Sequence, residues 1–181
     1  MLVYASLMAA LTAAGAYLAI PIGPVPIVLQ NLFVLLSGLL LGRRWALASV
    51  GVYLLAGICG LPVFAGGTGG IGKLAGPTGG YLLGYLPAVY LVGWISAKAG
   101  GRALYDVLAM VVGSVIVYMV GVSWLKAVTA MPWSKALAVG MYPFLIGDAL
   151  KIAAAVPIAR ALRPIVRNPD FNPQTRLSPG G

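Results

Sequence analysis

The chain has 181 residues, 61% hydrophobic and only 8% charged. A soluble domain carries roughly a quarter charged residues, so this chain cannot cover a water-facing surface and reads as an all-α integral membrane protein. It has no histidine and three acids, Asp106, Asp148 and Asp170, which leaves little for general acid–base catalysis or metal ligation, and its net charge of +9 lies in small cationic groups between apolar runs, not in the dense patch that nucleic acid requires.

Six apolar segments follow in chain order. The first, 2–20, lacks a basic leader and reads as a span and not as a removed signal peptide. It ends where Pro21, Pro24 and Pro26 stop any helix. The second, 27–41, is short for a span and ends at Gly42-Arg43-Arg44. The third is 45–59, with Cys59 as a lone cysteine that excludes an intrachain disulfide. A stretch from Gly60 to Tyr81 is then too glycine-rich for a helix and too apolar for a solvent loop. Irregular backbone near membrane depth is tolerated only where protein or a cavity satisfies it, so this stretch is expected to line or cover a cavity. Segments 80–97, 103–124 and 138–162 complete the set, and the polar, proline-rich 164–181 reads as a disordered tail beyond a 1–163 membrane domain.

The cations set an orientation. Arg43, Arg44, Lys98, Arg102, Arg160, Arg163, Arg167 and Arg176 fall on one side, and Lys73, Lys126 and Lys135 on the other. The positive-inside bias places the first group and both termini in the cytoplasm. The glycine-rich stretch is then outside. Trp124, Trp133 and Tyr142 suit the outer interface, Trp45 and Trp94 the inner one. Small residues recur at helix-packing spacing, notably Ala5, Ala9 and Ala13, Gly38 with Gly42, and Gly80 with Gly84.

Within the sixth segment Asp148 and Lys151 lie three apart, on one helical face. Each charge at mid-membrane costs roughly 2.5–3.5 kcal/mol and faces the protein interior, so the pair is expected either to neutralise itself or to floor a ligand site. Asp106 is expected to form an interfacial ion pair with Arg102. Gln30 and Asn31 sit beside the proline-rich turn. Asn31 divides evenly between packing and binding, and Gln30 favours a ligand role. The glycine-rich stretch lacks phosphate-loop spacing, because Leu74 follows Gly72-Lys73 and no strand precedes it. Its Thr68 and Thr78, with Phe64, Tyr81 and Tyr85, suit a small, partly polar ligand. No serine has a base partner, so no catalytic set emerges.

Four stretches together resemble the BioY family, the substrate-binding S components of energy-coupling-factor (ECF) biotin transporters. They are Pro24-Val25-Pro26-Ile27 with Gln30, the run Gly57 to Gly67, Gly76-Pro77-Thr78-Gly79-Gly80-Tyr81, and Pro143-Phe144 with Gly147-Asp148 and Lys151. The similarity covers roughly 9–163. It implies the six-helix S-component fold in a prokaryotic cell membrane, both termini cytoplasmic, with the glycine-rich outer loop between helices 3 and 4 as a lid. It implies capture of biotin from outside, and no enzymatic activity or cofactor in this chain. Its partners are then a transmembrane coupling subunit and ATPases that consume ATP, with Ala9 and Ala13 of the first helix as the docking face. The substrate-binding set is Gln30, Phe64, Thr68, Lys73, Thr78, Gly79, Gly80, Tyr81, Tyr85, Asp148 and Lys151. A carboxylate suits Lys151 or Lys73, ureido N–H groups suit Asp148 or Gln30, and the ring suits the aromatic walls. Which end of biotin meets which residue stays open. Another vitamin, such as thiamine or niacin, is the alternative ligand, and a membrane scaffold is the alternative class.

Overall fold

The structure is a computed structural model that describes residues 1–20, 24–98, 100 and 102–167. Helix α1 spans Leu2–Tyr17, and the chain then forms a two-stranded antiparallel ladder, β1 (Ala19–Ile20) with β2 (Ile27–Val28). Of the expected proline-rich turn at 21–26, residues 21–23 lie outside the described residues. Helices α2 (Gln30–Ile58), α3 (Gly72–Ala75), α4 (Gly79–Lys98), α5 (Ala103–Thr129), α6 (Trp133–Gly140) and α7 (Tyr142–Arg167) follow. By length and composition α2, α4 and α5 can cross a membrane, and α1 is a shorter apolar helix.

The expected break between the second and third segments is present inside α2. Gly42 leaves helical geometry at φ 74°, ψ 172°, a conformation open to glycine because it has no Cβ. A straight 29-residue helix would run about 43 Å, yet both ends of α2 sit at one end of the molecule. Gln30 lies beside Gly15 of α1, while Gly57 accepts from Gly70 and Gly66 donates to Ala16. So α2 doubles back at Gly42, which packs with Arg43 against Gly93 of α4. The second segment begins at Gln30 instead of 27, because Ile27 and Val28 belong to the ladder.

Close helix approach comes from small residues, as in lipid-embedded bundles. A Cβ at Gly38 would meet Val92, one at Gly84 would meet Val117, and one at Gly113 would meet Val92 and Leu35. Gly42, paired with Gly38 by spacing, has open space where a Cβ would stand; it serves the reversal, and it is its backbone that meets Gly93. Large apolar side chains such as Val3, Leu55, Met119, Ile146 and Leu150 remain exposed on successive helices. An apolar belt of that kind suits lipid.

The end opposite the cavity carries a buried ion pair. Asp106 is 0% exposed and meets Arg163 Nη2 at 2.8 Å, with Ser96 Oγ donating to the same carboxylate oxygen at 2.9 Å. This corrects the expected interfacial pairing with Arg102. Arg163, four turns of α7 beyond Asp148, supplies the charge instead. One turn later Arg167 donates to the carbonyls of Leu39 and Leu40 just before the reversal. Helix α7 therefore continues to Arg167, past the expected boundary at 163, and 168–181, including Asp170 and Arg176, lies outside the described residues.

Candidate functional site

The glycine-rich stretch crosses the end of the bundle where α1, both ends of α2, α4 and α7 meet. Phe64 and Thr68 pair backbone to backbone around a tight reversal, with N–O distances of 2.8 and 3.2 Å. Gly66 and Gly67 at φ 71° and 69° make that reversal, and their positive φ is strained for any residue with a side chain. The lid is pinned to α1 by Gly66 N–H on Ala16 O and by Tyr17 Oη on Pro62 O at 2.5 Å. Its far side is pinned to α5 by Trp124 Nε1 on Gly76 O at 3.0 Å. One turn of helix, α3, forms within it despite the glycine content.

Beneath the lid lies a cavity of about 490 Å³, within the usual small-molecule range. Its walls come from Pro24, Val25, Pro26 and Val28, the start of α2, the lid, α4, α5 and α7. Phe64 is buried, meets Tyr53 edge to face at 5.6 Å, and fits because residue 57 has no Cβ to strike its ring. Tyr81 is anchored by Oη on Gly140 O at 2.7 Å and packs on Gly121. Tyr85 completes the aromatic wall.

At the floor Asp148, Lys151, Asn31 and Tyr118 form one network. Asn31 donates to Asp148 Oδ1 at 2.9 Å and accepts from Lys151 Nζ at 2.7 Å. The amide orientation follows from its partners, because an ammonium only donates and a carboxylate only accepts. Lys151 also meets Asp148 at 3.1 Å, and Tyr118 Oη donates to the second carboxylate oxygen. Asp148 thus holds three donors, and Lys151 keeps one N–H of its three.

Of the expected binding residues, Gln30, Phe64, Thr68, Lys73, Thr78, Tyr81, Tyr85 and Lys151 line the cavity. Gly79 and Gly80 do not. They are buried where a Cβ would strike the Leu74 carbonyl and Trp124, so their part is to let α4 approach the lid and α5. Asp148, 6% exposed, stands behind Lys151 and Tyr118 and faces a second, apolar cavity of about 530 Å³ between α5, α6 and α7. The carboxylate acts on the first cavity through its partners. Thr68 Oγ1 already donates to Ala65 O. Lys73 is exposed on the lid. On α1, Ala9 is buried within the bundle, Ala13 half-buried, and Ala10 and Ala14 exposed.

Sequence reasoning did not single out Tyr118. The available signal was the polar pair Ser114 and Tyr118, four apart in the otherwise apolar stretch 107–122, which places both on one helical face.

A helical bundle whose roofed, aromatic-walled cavity presents a few polar groups has the form of a small-molecule binding protein. The BioY family model matches residues 1–168, and the chain belongs to the BioY family. The biotin transporter BioY of Thermotoga maritima is 40% identical over 162 residues, 90% of this chain and 95% of its own. The probable biotin transporter BioY of Pyrococcus horikoshii is 39% identical over 158 residues, 87% of this chain and 93% of its own. Among solved structures, the S-component for biotin from an ECF-type ABC transporter superposes with a TM-score of 0.84 at 34% identity, over 90% of this chain and 89% of that one.

Proposed function

We propose that the chain is the biotin-capturing S component of an ECF transporter. In this reading it spans the cell membrane of a prokaryote six times, the two limbs of α2 counting separately. The arginine-rich end and both termini are cytoplasmic, and the lid faces outward. A transmembrane coupling subunit and ATPases supply the energy for release, and this chain contributes binding, not catalysis.

The observation that carries the reading is the ion pair at the floor of the cavity. Asp148 neutralises Lys151 at 3.1 Å, so the floor is polar but carries no net charge. A carboxylate buried against it leaves one uncompensated negative charge, and the effective cost of a buried ion is several kcal/mol. A neutral ureido ring has no such cost, and its carbonyl can accept the remaining N–H of Lys151. The thiophane ring and the valeryl chain lie against Phe64, Tyr81 and Tyr85. The carboxylate points to the lid, where Lys73 lines the cavity and is exposed. A scaffold has no need of this cavity, and cationic thiamine finds no unpaired anion at the floor.

Thermal unfolding of the purified chain with biotin, biotinamide, thiamine and niacin tests this. Biotin is expected to raise Tm, and biotinamide, which lacks the carboxylate charge, to bind within roughly tenfold of biotin because a partly exposed ion pair is worth about 0–1 kcal/mol. No shift with biotin rejects the substrate. A shift with biotin alone, and none with biotinamide, reverses the orientation.

A further inference from the structure

The second cavity, of about 530 Å³, is a groove along the side of the bundle. Helix α5 gives it one continuous face from Val111 to Ser123, and α7 gives it the face from Leu145 to Ile152. Helix α6 adds Trp133 and Leu137 at the lid end, four apart and so on one face. The lining is apolar except for Ser114, Tyr118, Ser123 and Asp148. Asp148 offers no unpaired charge there, because its oxygens already hold Asn31, Lys151 and Tyr118. Val115, Met119 and Leu145 are exposed at the groove's edges, so it opens onto the apolar belt.

Depth and charge decide what fills it. From Val111 to Ser123 the groove runs about 18 Å along α5, close to half of the ~30 Å hydrocarbon core. It is as deep as one leaflet, whereas a membrane-crossing helix of a partner needs a seam of about twice that length. At its mouth Lys126, one turn beyond Ser123, holds Nζ 5.2 Å from the centre of the Trp133 ring. Among the described residues no acid pairs with Lys126. An indole and an unpaired ammonium at the edge of the hydrocarbon suit a phosphate headgroup. We propose that this groove is a lipid site, taking one acyl chain of an anionic phospholipid from the leaflet at the lid end, with Lys126 on the phosphate. The proposal rests on the chain's place in the membrane and on none of the biotin assignments.

Native mass spectrometry of the purified chain, titrated in detergent with phosphatidylglycerol, phosphatidylcholine or glycerol phosphate, tests it. Wild type is expected to retain one phosphatidylglycerol and to favour it over phosphatidylcholine by up to about fivefold, the worth of one partly exposed charge pair. Glycerol phosphate, a headgroup without chains, is expected not to bind. Lys126→Gln is expected to erase the preference between the two lipids. Ala149→Phe, at an exposed position on the groove wall, fills the groove and is expected to lower retention of both lipids on the order of tenfold. Equal retention of the two lipids by wild type overturns the inference, as does a preference that survives Lys126→Gln. So does full retention in Ala149→Phe, or a dimer that this variant dissolves, which makes a second copy of the chain the occupant.

Discussion

Asn31→Leu isolates the floor network more cleanly than any change to the charged pair, because it keeps side-chain volume and leaves Asp148 and Lys151 in place. The substitution removes two hydrogen bonds, of 2.9 and 2.7 Å, one to a carboxylate and one from an ammonium. Hydrogen bonds to charged groups contribute about 1.5–3 kcal/mol each. Bonds between helices in membrane proteins average nearer ~0.6 kcal/mol, because the unfolded chain in lipid also finds partners. Both partners here are ionised and nearly buried, which places the pair toward the larger figure, about 3 kcal/mol in total. In a chain of this size that lowers Tm by roughly 6–12 °C. Thermal unfolding in detergent without ligand measures it, and biotin titration of the same sample is expected to show weaker binding as the Lys151 ammonium loses its fixed position. A Tm within about 2 °C of wild type, with affinity intact, refutes the reasoning: the ion pair then stands by itself and Asn31 is a bystander.

Tyr118→Phe deletes the phenol donor to Asp148 and is expected to weaken biotin by about tenfold, read by calorimetric titration. Arg163→Leu leaves Asp106 charged and buried and is expected to cost about 3–5 kcal/mol, whereas adding Asp106→Asn restores part of the loss; paired unfolding curves of the single and double variants show it. On α1 the two alanines are expected to separate. Ala9→Leu overpacks a buried position, lowering stability by about 1–3 kcal/mol as well as uptake, while Ala13→Leu lowers uptake of labelled biotin in cells and leaves binding and Tm unchanged.

The helical bundle was legible because its signals are local. Apolar run lengths, the prolines after 20 and the Gly42-Arg43-Arg44 step mark where the chain leaves one pass and begins another. That irregular backbone would border a cavity was legible for the same reason, since glycines at 66 and 67 permit a reversal that other residues resist. Pairings across the bundle were not. Asp106 was assigned to Arg102 because sequence shows neighbours, and its partner lies 57 residues away. Asn31 reaches Asp148 across 117 residues, and Tyr118 reaches it across 30. Gly79 and Gly80 were assigned to the ligand because glycine permits close approach. The sequence could not say that the approaching groups are Leu74 and Trp124. Asp148 and Lys151 were found because a charge in an apolar run is conspicuous, but that they pair with one another at 3.1 Å, and share Asn31, needed their geometry.

The most direct measurement of the central claim is equilibrium binding of labelled biotin to the purified chain, with Asp148→Asn and Lys151→Ala measured beside wild type. Both substitutions dismantle the floor, and each is expected to weaken biotin by at least tenfold, with Lys151→Ala the more severe because it also removes the N–H that the ureido carbonyl would accept. Full wild-type affinity in both variants contradicts the account and moves the ligand away from this floor.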